Sequence, residues 1–488
     1  MGPFIVASLP WLILAFICWV LAVLLNPLAR FRLRKVPGPT PWPLFGNLLE
    51  LSKRGEAFAL ADWKATYGNI FKVWIGPTPM WIVSDPDMSS GPHYRKLKGA
   101  WTPLFLPASL QNYCTLMDGA ACNLAASLLP HAGAAEMNIV PAFEAHVLQI
   151  VVSAAFGVDL HLQAGDPLRT AGSEHDKLMH AVKDVLETAG SAKPWATPMI
   201  LFPALQPLFR FLLHKFPDAA TIRLKQARRR LSNFVYGLIH EERPAAAQDK
   251  APAMGSARRT GVKPGSFLSL LISHSQHNVQ LTDEEIFVQA YFFIMAGFHT
   301  SSGALSYTMY HLAGHPDKLK AAHEEIDAMG AEFKPTLQTL GSFPYLEACL
   351  RESLRLLPPV PATQRYARDR MALGPFNVAP GDMLCAATYN LHHDVGLWEK
   401  PFDFTPERFM DTAEVGIKRG SLNTFGEGMR SCIGQNFAIM EIKITLIRLL
   451  QAYTFTLAPN QVPLAVKARS SPSLLSPSKG IYINIVSR

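Results

Sequence analysis

A glycine-rich loop around Cys432 is the part of the sequence best suited to chemistry. The loop reads Phe425-Gly-Glu-Gly-Met-Arg-Ser-Cys-Ile-Gly434 and precedes an amphipathic helical stretch from Gln435 to about Ala452. Glycines let the backbone turn tightly and approach a flat ligand closely. Free N–H groups and the helix dipole stabilise a thiolate at the start of a helix. We therefore expect a reactive thiolate at Cys432, with an inert buried cysteine as the alternative.

This loop resembles the haem-binding signature of the cytochrome P450 superfamily at Phe425, Gly428, Arg430, Cys432 and Gly434. The resemblance implies a haem b cofactor whose iron has the Cys432 thiolate as its axial ligand. Thiolate ligation pushes electron density onto iron and favours O–O cleavage. The resemblance also implies that Phe425 shields the sulfur from solvent and that Arg430 pairs with a haem propionate.

A second segment, Ala296-Gly-Phe-His-Thr300, resembles the oxygen-activation segment of the same superfamily. The resemblance implies that the small residues Ala296 and Gly297 allow the haem face to approach. It also implies that the Thr300 hydroxyl donates a hydrogen bond to dioxygen and accepts one from water. The superfamily usually has an acidic residue where this chain has His299. An imidazole can also relay protons near neutral pH, so His299 is either a catalytic relay or a structural histidine.

Two short motifs predict a structural network beside the cysteine loop. Glu352 and Arg355 have the i, i+3 spacing at which a carboxylate and a guanidinium can pair on a helix, although such pairs are usually solvated. The superfamily resemblance implies that Arg408, in the segment Pro406-Glu-Arg-Phe409, completes a buried triad with them. Because an arginine fork can hold a carboxylate bidentately, the triad is expected to fix this segment to the core.

The segment after Arg355 is predicted to contribute to cofactor and substrate binding. A proline-rich turn ends the helix there, because proline lacks a backbone N–H donor. The resemblance implies that Arg365, in the following extended strand, is a second propionate partner. It also implies that the substrate pocket is lined by Val360, Ala362 and Thr363.

The chain departs from the superfamily between Pro86 and Tyr94. Members carry a longer stretch there, with a helix and a loop over the substrate, whereas the seven intervening residues here reach only about 25 Å. Tyr94 and Lys98 also stand where members have the Trp and Arg that hold a propionate. Lys98 is a flexible point charge rather than a planar fork. The short segment is either natural or an artefact of gene prediction, and it predicts weak haem retention.

The elements expected to position these residues are mostly helices. Thr282 and Glu285 form a predicted capping box at the start of a long helix, which is apolar through residues 286–310. A helix that is nearly apolar all round belongs inside a large domain. Strand-like segments at 70–75 and 80–84 predict a hairpin near the N-terminus. We therefore expect a mainly α fold with a smaller β-rich region, the cytochrome P450 fold.

The N-terminal sequence predicts a membrane anchor. Phe4 to Leu25 is an uncharged, apolar run that as a helix would be about 33 Å long, which is enough to cross a bilayer. A basic cluster from Arg30 to Lys35 follows and favours a cytosolic location for the rest of the chain. We therefore expect a single-pass endoplasmic reticulum membrane protein with an anchor at 1–26, a basic and proline-rich hinge at 27–45 and a haem-binding catalytic domain at 46–488. A cleaved signal peptide is the alternative.

Composition limits the remaining classes of function. The six cysteines are too few and too scattered for a disulfide scaffold, which favours a reducing compartment. A net charge of +8 permits attraction to an anionic membrane or an acidic protein. The sequence has no basic stripe interleaved with aromatic residues, so nucleic-acid binding is disfavoured. A Leu- and Phe-rich stretch at 194–217 is predicted either as a second membrane contact or as kinked core helices.

The expected function is that of a haem-thiolate monooxygenase that inserts one oxygen atom of dioxygen into a lipophilic small molecule. The sequence shows no flavin or nicotinamide motif, so electrons must come from a partner. We expect an NADPH-dependent flavoprotein reductase, with cytochrome b5 as a further donor. Two alternatives stay open: a reductase-independent isomerase or dehydratase acting on an oxidised lipid, and a catalytically impaired haem-binding relative. We expect the reductase to dock on basic residues, with a solvated surface charge as the alternative and more common role of each one: Arg95, Lys96, Lys98, Lys443 and Arg448.

Overall fold

The predicted balance of many helices and few strands is confirmed in a computed structural model. The structure describes residues 27–42, 45–54, 56–68, 70–83, 101–157, 180–182, 184–185, 206–246, 266–277, 281–330, 332–410, 417–418, 420–459, 461, 464, 466–469 and 474–488. Lys98, Tyr94 and the short segment after Pro86 lie outside these residues.

Helices form most of the described chain, and several are long enough to cross the whole core. In chain order they are α1 (Pro27–Arg32), α2 (Leu48–Arg54), α3 (Glu56–Tyr67), α4 (Pro107–Leu128), α5 (Val140–Phe156), α6 (Gln206–Lys215), α7 (Ala219–Ala246), α8 (Phe267–His277), α9 (Asp283–Gly314), α10 (Pro316–Asp327), α11 (Pro344–Leu356), α12 (Thr388–His392) and α13 (Gln435–Ala452).

The strands are short and form small sheets. They are β1 (Ile70–Ile75), β2 (Thr78–Val83), β3 (Met137–Asn138), β4 (Thr363–Tyr366), β5 (Met371–Leu373), β6 (Phe376–Val378), β7 (Met383–Ala386), β8 (Tyr453–Leu457), β9 (Val466–Arg469), β10 (Leu474–Pro477) and β11 (Tyr482–Ser487). One sheet has the order β1-β2-β7-β4, in which β2 and β7 are parallel. The others are β3-β11-β8, β10-β9 and β5-β6. The predicted hairpin is the antiparallel pair β1 and β2, and its second strand begins two residues earlier than expected.

The central helix α9 begins at the predicted capping box. The Thr282 hydroxyl accepts a hydrogen bond from the Glu285 N–H at 3.1 Å, and the Glu285 carboxylate accepts one from the Thr282 N–H at 2.9 Å. Inside the helix, hydroxyl groups donate to carbonyls four residues earlier, as Ser306 does to Ser302 at 2.6 Å. This bonding satisfies buried hydroxyl protons without a partner from another helix, so a mostly apolar helix can carry polar residues through the core.

Residues of the predicted hinge pack against the β1-β2-β7-β4 sheet. Leu33 and Val36 are buried with Trp74 and Trp81. Lys72 of β1 donates a hydrogen bond to the Leu33 carbonyl at 2.8 Å. The segment before β1 is thus fixed to the sheet, while the division at residue 46 stays a prediction.

The predicted N-terminal anchor, Phe4 to Leu25, lies outside the described residues. In the part of the chain that the structure describes, which starts at Pro27, no helix has the length and apolar character needed to cross a membrane.

Candidate active site around the Cys432 loop

The Cys432 loop is closed by a backbone hydrogen bond. The Cys432 N–H donates to the Phe425 carbonyl at 2.7 Å. Gly426 and Gly428 have φ angles of +72° and +70°, in the left-handed region that favours glycine. The loop therefore depends on its glycines for its shape, and it places the cysteine three residues before the first residue of α13, Gln435.

The surroundings of the Cys432 sulfur oppose its ionisation. The residue is exposed to solvent, yet protein surrounds most of the sulfur, and burial raises the pKa of the thiol. A hydrogen bond from the Gly434 N–H lowers this pKa in part. The expected stabilisation of the thiolate by the helix start is therefore outweighed by desolvation. A metal ion would reverse this balance, since a coordinating thiol is deprotonated outright.

One face of α9 is uncovered although most of the helix is buried. Val288 is 46% exposed, Phe292 is 57% exposed, and Ala296 one turn further on is also exposed. Thr300, four residues after Ala296, is half-buried, and its hydroxyl donates to the Ala296 carbonyl at 2.6 Å. Residues four apart lie on one side of a helix. This stripe is apolar and ends in a hydroxyl.

Gly297 lets α9 approach its neighbour α5 closely. A Cβ atom added at Gly297 would lie 3.1 Å from a methyl group of Val151. A side chain there would require Val151 to shift by a few tenths of an ångström. Gly297 therefore serves helix packing in this structure, in addition to the cofactor contact predicted for it.

Aromatic side chains that the sequence did not mark pack beside the loop. The Phe105 and Phe293 rings lie 6.2 Å apart, and Phe293 and Phe437 join α9 to α13 with ring centroids 5.8 Å apart. A Cβ atom added at Gly434 would lie 3.8 Å from the Phe105 ring, so Phe105 borders the Cys432 loop. Only the i, i+4 spacing of Trp101 and Phe105 could have indicated this contact.

These features fit the flat, apolar cofactor that the sequence resemblance implies. The loop presents a thiol, and the uncovered stripe of α9 offers apolar surface. Arg430 of the loop and Arg365 of β4 are both exposed cations. The Arg365 guanidinium also donates to the Gln364 carbonyl at 2.8 Å.

The residues expected to line a substrate pocket have different surroundings. Ala362 is buried in a hydrophobic cluster with residues of α3 and β7. Val360 and Thr363 are half-buried. Two of the three thus keep part of their surface open, while Ala362 packs into the core beside the sheet.

The predicted triad is assembled around one buried carboxylate. Arg355 donates to Glu352 through Nε at 2.7 Å and through Nη2 at 2.9 Å, and Arg408 Nε donates to Glu352 at 3.1 Å. Glu352 and Arg355 have no exposed side-chain surface. The Thr405 N–H donates to the same carboxylate at 3.0 Å. Every charge in the cluster therefore has a partner, as buried ions require.

His392 connects this triad to the Cys432 loop. Its Nδ1 lies 3.0 Å from the Arg355 carbonyl, and its Nε2 accepts a hydrogen bond from the Asn423 N–H at 2.9 Å. Burial lowers the pKa of His392 to about 3, so the ring is neutral and Nδ1 carries the proton. Because Asn423 lies two residues before Phe425, the triad helps to fix the start of the loop.

Two of the cations expected to dock a reductase form contacts inside the protein instead. Lys443 is buried, and its Nζ donates hydrogen bonds to the Leu340 carbonyl at 2.7 Å and to Glu347 at 2.8 Å. The prediction of a docking role for Lys443 is therefore wrong. Arg448 is largely buried in a bidentate pair with Asp118 at 2.6 and 3.0 Å. Both charges are neutralised inside the fold. The other expected docking residues, Arg95, Lys96 and Lys98, lie outside the described residues.

Comparison with known proteins assigns the family. The sequence model of the family described as Cytochrome P450 matches residues 36–90 and 87–485. The chain is 28% identical to Cytochrome P450 3A56 of Fundulus heteroclitus over 530 aligned positions, which cover 100% of both chains. It is 27% identical to Cytochrome P450 3A5 of Homo sapiens, with 94% of this chain and 92% of the relative covered. The chain therefore belongs to the cytochrome P450 family of monooxygenases, which use a haem iron held by a cysteine thiolate.

Proposed function

We propose that Cys432 is the axial ligand of the haem iron and that the enzyme oxygenates a lipophilic small molecule. The observation that carries this proposal is the position of the Cys432 thiol, free and exposed on a loop whose shape depends on glycines. Bound haem supplies the activation of dioxygen and the cleavage of its O–O bond. The side chains bind the cofactor, exclude water and move protons.

The residues around the thiol have distinct roles in this proposal. Phe425 packs partly against the main hydrophobic core and shields the sulfur from solvent. Gly428 and Gly434 keep side chains away from the approach to the cysteine. Arg430 and Arg365 are the propionate partners, together with Lys98. Ala296 would contribute apolar surface to the cofactor site from α9. A larger residue at this position would occupy the space for the cofactor.

Proton delivery is assigned to the end of the uncovered α9 stripe. The Thr300 hydroxyl gives its own proton to the Ala296 carbonyl, so its oxygen can accept a hydrogen bond from an incoming water. His299 is the neighbouring titratable residue and relays the proton to that water. Thr300 thus holds the water that donates the proton, and His299 supplies the proton to that water.

The redox partners are assigned because the sequence has no flavin or nicotinamide motif, and the location is assigned from the N-terminal apolar run. Electrons come from an NADPH-dependent flavoprotein reductase, with cytochrome b5 as a further donor. The protein is a single-pass endoplasmic reticulum membrane protein, held by residues 1–26 with the catalytic domain in the cytosol. The segment that starts with α6 gives a second contact, because Leu208, Phe211 and Phe216 are at least half exposed. Such apolar surface is costly in water and favourable at a lipid interface.

The carbon monoxide difference spectrum of the reduced protein tests the ligand assignment. Cys432→Ser should lose the thiolate-type Soret band, because a hydroxyl cannot supply the same electron donation. Cys122→Ser is the matched control, since Cys122 is also free and exposed but lies on α4. Loss of the band in both variants, or in neither, would contradict the proposal. Reductase-dependent product formation by the wild type then separates a monooxygenase from an isomerase, which needs no electrons.

Two observations favour a second candidate, a catalytically impaired haem-binding relative. The family match is divided where residues 36–90 meet residues 87–485, at the segment that is short in this chain. The alignment with the Fundulus relative also has 530 positions for a chain of 488 residues. Purified protein should then contain much less than one haem per chain. An insertion between Pro86 and Tyr94 that restores haem occupancy would support impairment, whereas full occupancy with coupled turnover by this chain would exclude it.

A further inference from the structure

A small cavity with several polar residues in its wall lies beside His299, between α9, α5 and β10. Its volume is about 30 Å³, and its wall includes Glu144 of α5 and Ser476 of β10. His299, Ser302 and Ser306 line it from α9. This volume is enough for at least one water molecule, and the wall offers the polar partners that a bound water needs.

Two ionisable side chains line this space. Among the described residues that line the cavity, Glu144 and His299 are the ones with an acidic or basic side chain. Strand β10 contributes Leu474, Leu475 and Pro477 besides its serine, and none of these titrates. Glu144 and His299 are both half-buried, so each remains within reach of solvent. A carboxylate and an imidazole at one water site are suited to proton exchange.

The serine hydroxyls set the orientation of water in the cavity. Ser302 donates its hydroxyl proton to the Phe298 carbonyl at 2.8 Å, and Ser306 donates to the Ser302 carbonyl at 2.6 Å. Their oxygen atoms are therefore acceptors on the cavity side. A water held there points its hydrogens at the serines and presents a lone pair to a proton donor.

We propose that Glu144 is a positioning residue that supplies protons to His299 through this cavity. This inference rests on the proposed role of His299 in oxygenation. The Glu144 carboxylate takes a proton from solvent and passes it to the cavity water, which passes a proton to one nitrogen of the His299 ring. The other ring nitrogen then releases its proton to the water at the Thr300 hydroxyl. One proton moves inward, Glu144 is again a carboxylate, and His299 regains its first tautomer when its ring turns over.

Helix geometry makes this transfer possible. His299 and Thr300 are consecutive residues, and successive side chains on an α-helix are about 100° apart. The imidazole can therefore face the cavity while the hydroxyl lies at the end of the uncovered stripe. Glu144 occupies the role of the acidic residue that the sequence lacks before Thr300, but it comes from another helix.

The test uses Glu144→Gln in the full-length protein, with Glu136→Gln as the control because Glu136 is an exposed carboxylate outside the cavity. The first readout is carbethoxylation of His299, followed across pH by peptide mass spectrometry, which does not require turnover. A nearby carboxylate keeps an imidazole protonated and unreactive. The Gln variant should therefore react roughly threefold to tenfold faster near neutral pH, with its midpoint at lower pH. An unchanged profile in Glu144→Gln would overturn the proposal.

The second readout is peroxide released per reductant consumed. Glu144→Gln should release at least about twofold more peroxide, because proton delivery is slower, and Glu136→Gln should match the wild type. If Glu144→Gln does not fold, Glu144→Asp keeps the charge on a shorter stem and should show a smaller shift of the same sign. A wild type without a thiolate-type spectrum refutes the proposed function, while the carbethoxylation profile still decides whether Glu144 acts on His299.

Discussion

Glu441 should make the stability of this protein fall as pH rises. Its side chain is fully buried on α13, and neither carboxyl oxygen has a hydrogen bond of standard geometry among the described residues. Burial raises the pKa of Glu441 to about 8, and the nearby Ser301 hydroxyl lowers it only in part. The folded protein therefore holds the Glu441 proton more tightly than the unfolded chain does. Protonation favours the folded state.

The magnitude follows from the difference between the two pKa values. A rise from 4.5 to about 8 corresponds to about 5 kcal/mol at about 1.4 kcal/mol per pH unit. This stability is fully present below the unfolded pKa of 4.5 and is lost as pH rises through the folded pKa. Local relaxation that admits water to the carboxylate makes about 5 kcal/mol an upper limit.

Glu441→Gln tests this reasoning, because the amide has nearly the same shape and does not titrate. The free energy of unfolding is measured by urea denaturation at about pH 5 and about pH 8.5. The variant should be within about 1 kcal/mol of the wild type at the lower pH and several kcal/mol more stable at the higher pH. Buried histidines such as His146 titrate in both proteins and cancel in the difference. Glu332→Gln, which changes an exposed carboxylate, is the control. A difference that does not vary with pH would refute the reasoning.

Three further changes have defined outcomes. Glu352→Ala should lower the free energy of unfolding by about 3–5 kcal/mol, because Arg355 would be left buried without its carboxylate. Urea denaturation measures this change, and a loss below about 1 kcal/mol would show that the triad is not needed for stability. Deletion of residues 1–26 should release only part of the protein from membranes on fractionation. Adding Phe211→Ser and Phe216→Ser to the deletion should release the rest. Complete release by the deletion alone would refute the proposed second membrane contact. Thr300→Ala should keep the thiolate-type spectrum but form at least about tenfold less product per reductant consumed, and normal coupling would count against its role.

Local signals in the sequence predicted those elements whose ends are set by their own residues. The capping box of Thr282 and Glu285 marked the start of α9, and the glycines of the Cys432 loop marked the start of α13. The hairpin of β1 and β2 follows from a glycine and prolines between two apolar runs. In each case the interactions that fix the boundary lie within a few residues, so no tertiary contact was needed to predict it.

The properties that the sequence did not predict depend on distant residues. Lys443 looked like a surface cation, yet its partner carbonyl belongs to Leu340, more than one hundred residues earlier. Glu144 is about 150 residues from His299 in sequence, and only the packing of α5 against α9 brings both to one cavity. The lone carboxylate of Glu441 among apolar residues of α13 was visible in the sequence, but its pKa depends on what covers it.

The position of each polar residue around α9 explains how one helix can take part in both catalysis and stability. Thr300 follows the uncovered stripe, His299 faces the polar cavity, and Ser301 lies toward Glu441 on α13. These are three consecutive residues, and steps of about 100° send them in three directions. A rotation of the helix by one residue would therefore exchange their surroundings and place a titratable ring at the stripe. The close contact at Gly297, where a Cβ atom would lie 3.1 Å from Val151, opposes such a rotation by fixing α9 against α5. Helix packing at Gly297 is thus a condition for the separation of the proposed proton delivery from the buried carboxyl.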